Sequence, residues 1–136
     1  AARCDHIERT IRPALERGEW VVCDRFADST RAYQGAAGGA SQDFIATLEQ
    51  AVVGDVRPDL TLIFDLPPEA GLARAAGRGG GEARFEAKGS EFHARLRAGF
   101  LAIAQAEPNR CVLIDAAPDV DSVARAVWTA VSERLL

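Results

Sequence analysis

The stretch LTLIFD at residues 60–65 consists of a short apolar run, Leu60–Phe64, closed by an aspartate. Its apolar residues do not alternate with polar ones and the run is too short for a helix, so it predicts a strand buried on both faces. Two further runs of the same kind, Trp20–Cys23 and Cys111–Ile114, are each also followed by an aspartate. Buried strands of this type are typical of parallel sheets covered by helices.

Amphipathic stretches separate these apolar runs, because apolar residues recur there every four positions. The recurring residues are Ile7, Ile11 and Leu15; Phe44, Leu48 and Val52; Phe92, Leu96 and Phe100; and Val123, Val127, Val131 and Leu135. This spacing predicts helices, the first of them kinked at Pro13. Strands and helices therefore alternate, which predicts an α/β fold with a parallel sheet flanked by helices.

The composition limits the size of the fold and the kinds of partner. A chain of 136 residues with 48% hydrophobic composition fits a single domain over residues 1–136. Its net charge of -4 argues against binding to nucleic acid or to an anionic membrane, and no apolar run approaches the length of a membrane span. Three cysteines are an odd number for a disulfide framework, so we expect a cytoplasmic location.

The segment DRFADSTRAYQG at residues 24–35 carries an acid, guanidinium groups, hydroxyls, an aromatic ring and an amide directly after the first predicted strand. Arginine can grip a phosphate through two parallel hydrogen bonds, so the segment suits a phosphorylated ligand with a polar base. The alternative is a solvated turn in which Asp28 or Ser29 caps a helix. Composition alone leaves both interpretations open.

Other residues of chemical interest are interpreted as structural. Asp65 and Asp115 also follow predicted strands, but aspartate is common in such turns and caps. His6 and His93 have no cysteine, second histidine or carboxylate at a spacing typical of metal ligands. The glycine-rich run at residues 77–81 is not expected to hold one conformation without a ligand.

Three motifs in order resemble those of the thymidylate kinases. The first is residues 24–35, the second is RPDLTL at 57–62 followed by DLPPE at 65–69, and the third contains Phe92, His93 and Arg95. The resemblance covers essentially the whole chain. It implies a partial P-loop NTPase fold of the nucleoside-monophosphate kinase type, with the first strand and the P-loop absent from these 136 residues.

The resemblance also assigns roles to single residues. Arg25 would hold the acceptor phosphate, and Asp24 would act near Mg²⁺ through a metal-bound water. The residues that it places around the acceptor nucleoside are Ser29, Thr30, Tyr33 and Gln34, with Tyr33 against the sugar. Arg3 lies where the family reaches the thymine carbonyl.

A lid is implied at about residues 74–90. Its arginines are Arg74, Arg78 and Arg84, and the resemblance makes Arg78 or Arg84 a catalytic residue. Mobile arginines suit phosphoryl transfer because a closing lid excludes water and stabilises charge. The sequence departs from the family at EAR (residues 82–84), where Leu-Asp-Arg is usual, and at AGG (residues 37–39), where Gly-Arg-Gly is usual.

The activity implied is transfer of the ATP γ-phosphoryl group to dTMP, giving dTDP and ADP, with Mg²⁺ as cofactor and a homodimer as the full-length enzyme. Such kinases need Gly-x-x-x-x-Gly-Lys-[Ser/Thr], and the sole lysine, Lys88, lies outside any such motif. We therefore expect the 136 residues by themselves to be inactive. Two alternatives stay open: a deoxynucleoside kinase-like enzyme and a non-catalytic nucleotide-binding module.

Overall fold

The computed structural model describes residues 2–77 and 89–136. The chain divides into two compact units, an N-terminal unit (residues 1–58) and a C-terminal unit (residues 59–136). Most of the predicted lid, including Arg78 and Arg84, lies outside the described residues. A single domain over residues 1–136 stays a prediction.

Helices make up all the regular structure in the described part of the N-terminal unit. Three of them follow one another directly near the start, and two more join end to end in the middle of the unit. The elements are α1 (Ala2–His6), the π-helical π1 (Ile7–Ile11), α2 (Arg12–Glu16), α3 (Ala27–Thr30), the π-helical π2 (Arg31–Ala36) and α4 (Gln42–Val53).

The first helical run buries the residues that its spacing predicts, with one exception. Ile7 and Ile11 are buried, whereas Leu15 is exposed. A kink was predicted at Pro13, and the irregularity of the run is π1, which ends two residues before it. There the backbone N–H of Arg12 donates to the carbonyl of Ile7, five residues back. Like a proline, a π-helical turn is a known site of irregularity within an α-helix.

The helix α4 buries a different face from the one predicted. Phe44 and Leu48 are 62% and 40% exposed, while Ile45 and Val53 are each 2% exposed. The buried stripe is therefore offset by one residue from the predicted one. Two adjacent stripes of α4 are rich in apolar residues, and α4 contacts α1, α3 and π2 through the stripe that contains Ile45 and Val53.

The first predicted strand, Trp20–Cys23, is wrong. These residues have no regular secondary structure, and the side chains of Trp20 and Val22 are 65% and 95% exposed. A strand exists only when its backbone pairs with another strand, and within residues 2–77 and 89–136 the only strands that pair are two in the C-terminal unit. Among the described residues, the run Trp20–Cys23 has no such partner.

The other two predicted strands are confirmed, and they form a small parallel sheet in the C-terminal unit. The strand β1 (Thr61–Asp65) pairs in register with β2 (Cys111–Asp115). Three helices accompany them in the chain: α5 (Pro68–Gly77), α6 (Gly89–Ala106) and α7 (Val120–Leu135). The helix α6 contacts both strands and α5, and α7 contacts β2. The α/β fold with helices flanking a parallel sheet is therefore observed.

The sheet is buried only in part. Ile63 of β1 and Ile114 of β2 are buried, whereas Phe64 and Leu113 are exposed. Burial of both strands on both faces was predicted, and this is wrong for Phe64 and Leu113. With two described strands, each strand lies at an edge of the sheet, so its side chains are covered on fewer sides than those of a central strand.

The aspartates that close these strands have structural roles, in agreement with the sequence interpretation. Arg97 of α6 donates two hydrogen bonds to Asp65, at 2.7 and 2.9 Å. These bonds lower the pKa of Asp65 below its ordinary value. Asp115 accepts a hydrogen bond of 2.9 Å from the backbone N–H of Ala117. Among the helices described for residues 2–77 and 89–136, none is long and apolar enough to cross a membrane.

Candidate functional site

Most of the predicted site residues lie on one segment of the N-terminal unit, from Asp24 to Gln34. The backbone bends at Asp24 and Arg25 before α3 begins. Arg25 has a φ of 62°, the only positive φ among the non-glycine residues described. This left-handed conformation costs an arginine roughly 1 kcal/mol or more, and residues strained in this way are common at ligand sites.

Arg25 and Tyr33 are brought together although eight positions separate them in sequence. The Cζ atom of Arg25 lies 4.6 Å from the centre of the Tyr33 ring, in a cation–π contact. Such a contact contributes about 0.5–1 kcal/mol at an exposed site. Tyr33 occupies π2, directly after α3, and this turn of chain returns its ring to the bend that carries Arg25.

Arg3 joins this segment from α1. Its Nη1 atom donates to Oγ1 of Thr30 at 2.7 Å, and its Nη2 atom donates to the carbonyl of Phe26 at 3.2 Å. Its guanidinium also lies 5.6 Å from the centre of the Phe26 ring. The sequence resemblance alone suggested Arg3 as a site residue, and the structure places it against a second predicted residue, Thr30.

The remaining predicted residues of the segment differ in exposure. Asp24 and Gln34 are exposed, and Ser29 is partly buried with its backbone N–H donating to the carbonyl of Phe26 at 3.2 Å. Within the described parts of the chain, the Asp24 carboxylate accepts no hydrogen bond and forms no ion pair. It is thus accessible from solvent at the bend, next to Arg25.

A partly buried ion network supports the segment, and the sequence interpretation did not identify it. Asp28, considered above only as a helix cap, is 7% exposed. It lies 3.2 Å from Nη1 of Arg31, whose Nε is 3.9 Å from Glu49 of α4. Glu49 is also 3.5 Å from Arg57. The three-residue spacing of Asp28 and Arg31 could have indicated their pairing, but no spacing rule indicates that Arg31 or Arg57 pairs with Glu49.

Gly38 lies so close to π2 that a side chain does not fit. A Cβ atom at this position would be 2.8 Å from the carbonyl oxygens of both Tyr33 and Gln34. The chain is fixed there because the backbone N–H of Ala40 donates to the carbonyl of Gln34 at 2.9 Å. Gly38 occupies the position of the arginine in the Gly-Arg-Gly pattern noted above, and the backbone of this chain leaves no room for that arginine.

One of the predicted lid arginines lies in the described part of the C-terminal unit. Arg74 of α5 donates from Nη1 to the carbonyl of Ala116 and from Nη2 to the carbonyl of Ala117, both at 2.7 Å. Its guanidinium therefore links α5 to the chain that follows β2. The roles of Arg78 and Arg84 stay predictions.

The comparison with known protein families identifies this chain. Residues 1–127 match the family model described as thymidylate kinase. The chain belongs to the thymidylate kinase family. Among thymidylate kinases, that of Caulobacter vibrioides is 62% identical over 135 residues, which are 99% of this chain and 64% of the relative. One from Rhodopseudomonas palustris is 56% identical over 138 positions, covering 100% of this chain and 60% of the relative.

A solved thymidylate kinase has the same fold. The crystal structure of the enzyme from Ehrlichia chaffeensis superimposes with a TM-score of 0.73 at 33% identity, covering 96% of this chain and 58% of that one. The family and the α/β fold inferred from the sequence are thereby confirmed. The chain spans about three fifths of the length of the thymidylate kinases that it matches.

Proposed function

We propose that this chain forms the acceptor-binding and lid portion of an enzyme that transfers the γ-phosphoryl group of ATP to dTMP, giving dTDP and ADP. The observation that carries the proposal is the convergence of Arg3, Arg25, Thr30 and Tyr33 on one segment of a thymidylate kinase family member. Two guanidinium groups, a hydroxyl and an aromatic ring together suit a nucleoside monophosphate, because they provide for its phosphate, base and sugar.

In this proposal Arg25 binds the acceptor phosphate through two of its N–H groups. Its Cζ atom lies over the ring of Tyr33, and within residues 2–77 and 89–136 its guanidinium donates no hydrogen bond, so its N–H donors are available to a phosphate. Arg3, oriented by Thr30, donates to a carbonyl of the base, and Tyr33 and Gln34 border the sugar. Phosphoryl transfer depends mostly on positioning and charge stabilisation, so binding residues of this kind contribute directly to the rate.

Asp24 is the residue we propose near Mg²⁺. Within residues 2–77 and 89–136, no group of three or more histidine, cysteine or carboxylate side chains is placed to hold a metal ion. A single exposed carboxylate fits the preference of Mg²⁺ to keep several waters and to bind substrate phosphates. When present with ATP, the ion neutralises charge on the phosphates. Asp24 would orient a metal-bound water, and Arg78 or Arg84 of the lid would stabilise the transferred group.

We further propose that the 136 residues by themselves do not catalyse the reaction, because they contain no Gly-x-x-x-x-Gly-Lys-[Ser/Thr] motif to bind the donor phosphates. A homodimer is proposed on the family resemblance, and a cytoplasmic location on the odd number of cysteines, which argues against a disulfide framework. The inactivity is tested by adding dTMP and Mg-ATP to the purified 136-residue chain. Release of ADP that depends on dTMP, at a rate typical of kinases, would contradict it.

The proposed reaction is tested on the complete open reading frame that contains these residues. We expect ADP release that depends on dTMP, and Arg25→Ala should raise the KM for dTMP by about 10- to 100-fold, since a charge-assisted hydrogen bond contributes roughly 1.5–3 kcal/mol. Arg9→Ala is the matched control, because Arg9 is an exposed arginine that pairs only with Asp5 in the described contacts. A preference for thymidine over dTMP would instead indicate a deoxynucleoside kinase, and nucleotide binding without turnover a non-catalytic module.

A further inference from the structure

Tyr33 lies against the arginine proposed to bind the acceptor phosphate, which suggests a role for its ring beyond contact with the sugar. We infer that Tyr33 is a positioning residue for Arg25: the ring holds the guanidinium in place, so Tyr33 contributes to affinity for the 5′-phosphate of the acceptor. The inference rests on the proposed function, because it concerns the same site.

The surroundings of Arg25 explain why it needs such a support. Arg25 is exposed, and its backbone has the strained φ of 62°. Within the described part of the chain, its guanidinium forms no hydrogen bond and no ion pair, and its contact is the face of Tyr33 at 4.6 Å. A long side chain held only by its own backbone would sample many rotamers, and binding of phosphate would then cost the entropy of this freedom.

Tyr33, by contrast, belongs to a well-anchored element. It is partly buried, and it lies two residues after Arg31, which is tied to Asp28 and Glu49. Its backbone carbonyl is bordered closely by Gly38. The ring is thus the fixed partner of the pair, and the guanidinium is the part that the contact restrains.

The contact also preserves the chemistry that a phosphate requires. An aromatic ring attracts a cation without using a carboxylate or carbonyl acceptor, so the guanidinium of Arg25 keeps N–H donors that can reach two phosphate oxygens side by side. An ion pair with a carboxylate would instead occupy those donors. An aromatic ring therefore orients Arg25 without competing with the ligand.

The test uses the complete open reading frame that contains these residues and compares two ligands, dTMP and thymidine, by titration calorimetry. Tyr33→Leu should weaken dTMP binding by about 3- to 10-fold, from the lost cation–π contact and the freed side chain. Thymidine lacks the phosphate but keeps the sugar that Tyr33 borders, so Tyr33→Leu should weaken thymidine binding by a smaller factor than dTMP binding. Tyr33→Phe keeps the ring and should therefore weaken dTMP binding by a smaller factor than Tyr33→Leu.

The second arm is a double-mutant cycle with Arg25. In an Arg25→Ala background, Tyr33→Leu should cause no further loss that is specific for dTMP, because the partner of the ring is already absent. Equal losses for dTMP and thymidine, or a full additional loss in the Arg25→Ala background, would overturn the inference and would assign Tyr33 to the sugar alone.

A third measurement separates this inference from the proposed function. In NMR spectra of protein with labelled tyrosine, the ring signal of Tyr33 is identified by its loss in Tyr33→Phe. It should shift in Arg25→Ala and on titration with inorganic phosphate. If phosphate binds in a Tyr33-dependent manner but dTMP does not bind, the choice of acceptor is wrong and the positioning role stands. If phosphate titration leaves the Tyr33 signal unchanged, the positioning role is wrong.

Discussion

Replacing Gly38 by alanine would place a methyl group 2.8 Å from the carbonyl oxygens of Tyr33 and Gln34, and 3.0 Å from the Cα atom of Gln34. All three atoms belong to the backbone of π2, so no change of rotamer can relieve the overlap. The two carbonyls would have to retreat by about half an ångström to reach an ordinary van der Waals distance. Because Tyr33 is part of π2, its ring would move away from Arg25.

The change that Gly38→Ala causes in the free energy of unfolding combines two opposing effects. Overpacking of this kind costs about 1–3 kcal/mol. Alanine also restricts the unfolded chain more than glycine does, which stabilises the folded protein by about 0.4–1 kcal/mol at a position whose φ is not in the left-handed region. Gly38 is such a position, since it is not among the glycines with positive φ. We therefore expect a net loss of about 1–2 kcal/mol in the free energy of unfolding.

Gly39→Ala is the matched control. Gly39 has a φ of 75° but nothing within 4 Å of an added Cβ, so alanine there introduces backbone strain without a collision. Both variants should lose similar stability in urea unfolding, roughly 1 kcal/mol or somewhat more. Only Gly38→Ala should also weaken dTMP binding, by about 3- to 10-fold, through displacement of Tyr33. If the two variants bind dTMP equally well, the reasoning about π2 is refuted.

Three further predictions concern arginines whose ion pairs or hydrogen bonds stabilise one of the two units. Arg31→Leu removes the guanidinium that lies 3.2 Å from the buried carboxylate of Asp28 and should cost about 3 kcal/mol in urea unfolding. Arg31→Lys keeps the charge and should cost less, and equal losses would mean that the ion pair contributes nothing. Arg97 lowers the pKa of Asp65, so this pair stabilises the fold above the unfolded pKa of about 4, and its contribution disappears as the pH falls through the lowered folded pKa. The melting temperature of Arg97→Leu should thus fall below that of the wild-type protein at pH 7 and approach it near pH 2, and a difference independent of pH would contradict this. Arg74→Ala removes two hydrogen bonds to carbonyls beyond β2 and should lower the melting temperature by a few degrees. The kcat for dTMP should change by less than about twofold. A large loss of kcat at unchanged stability would instead support a lid role for Arg74.

The elements that the sequence predicted correctly are those whose pattern is local. The strands β1 and β2 come from apolar runs that end in an aspartate, and both form within one residue of the predicted bounds. The run Trp20–Cys23 has the same pattern but is not a strand. The difference is the presence of a pairing partner, which is a non-local property that composition and spacing do not contain.

For the candidate site, the sequence predicted the residues but not the contacts between them. Arg25 and Tyr33 could be named because they belong to the motif that carries the family resemblance, and Thr30 because it lies within that motif. The cation–π contact between Arg25 and Tyr33 could not be predicted, since it depends on the left-handed backbone at Arg25 and on the return of the chain through π2. The hydrogen bond from Arg3 to Thr30 joins residues 27 positions apart, and no spacing rule indicates it.

The sequence by itself thus determined the family, the α/β class, the positions of β1 and β2 and the segment that holds most of the candidate site, because each of these rests on patterns within short stretches of the chain. Only the tertiary structure decided which face of α4 is buried, that Asp28 is an internal ion-pair partner, and that Gly38 excludes a side chain. These features depend on which backbone and side-chain atoms meet after folding. That outcome is set by packing between elements distant in sequence, where small differences in burial and steric fit select one arrangement.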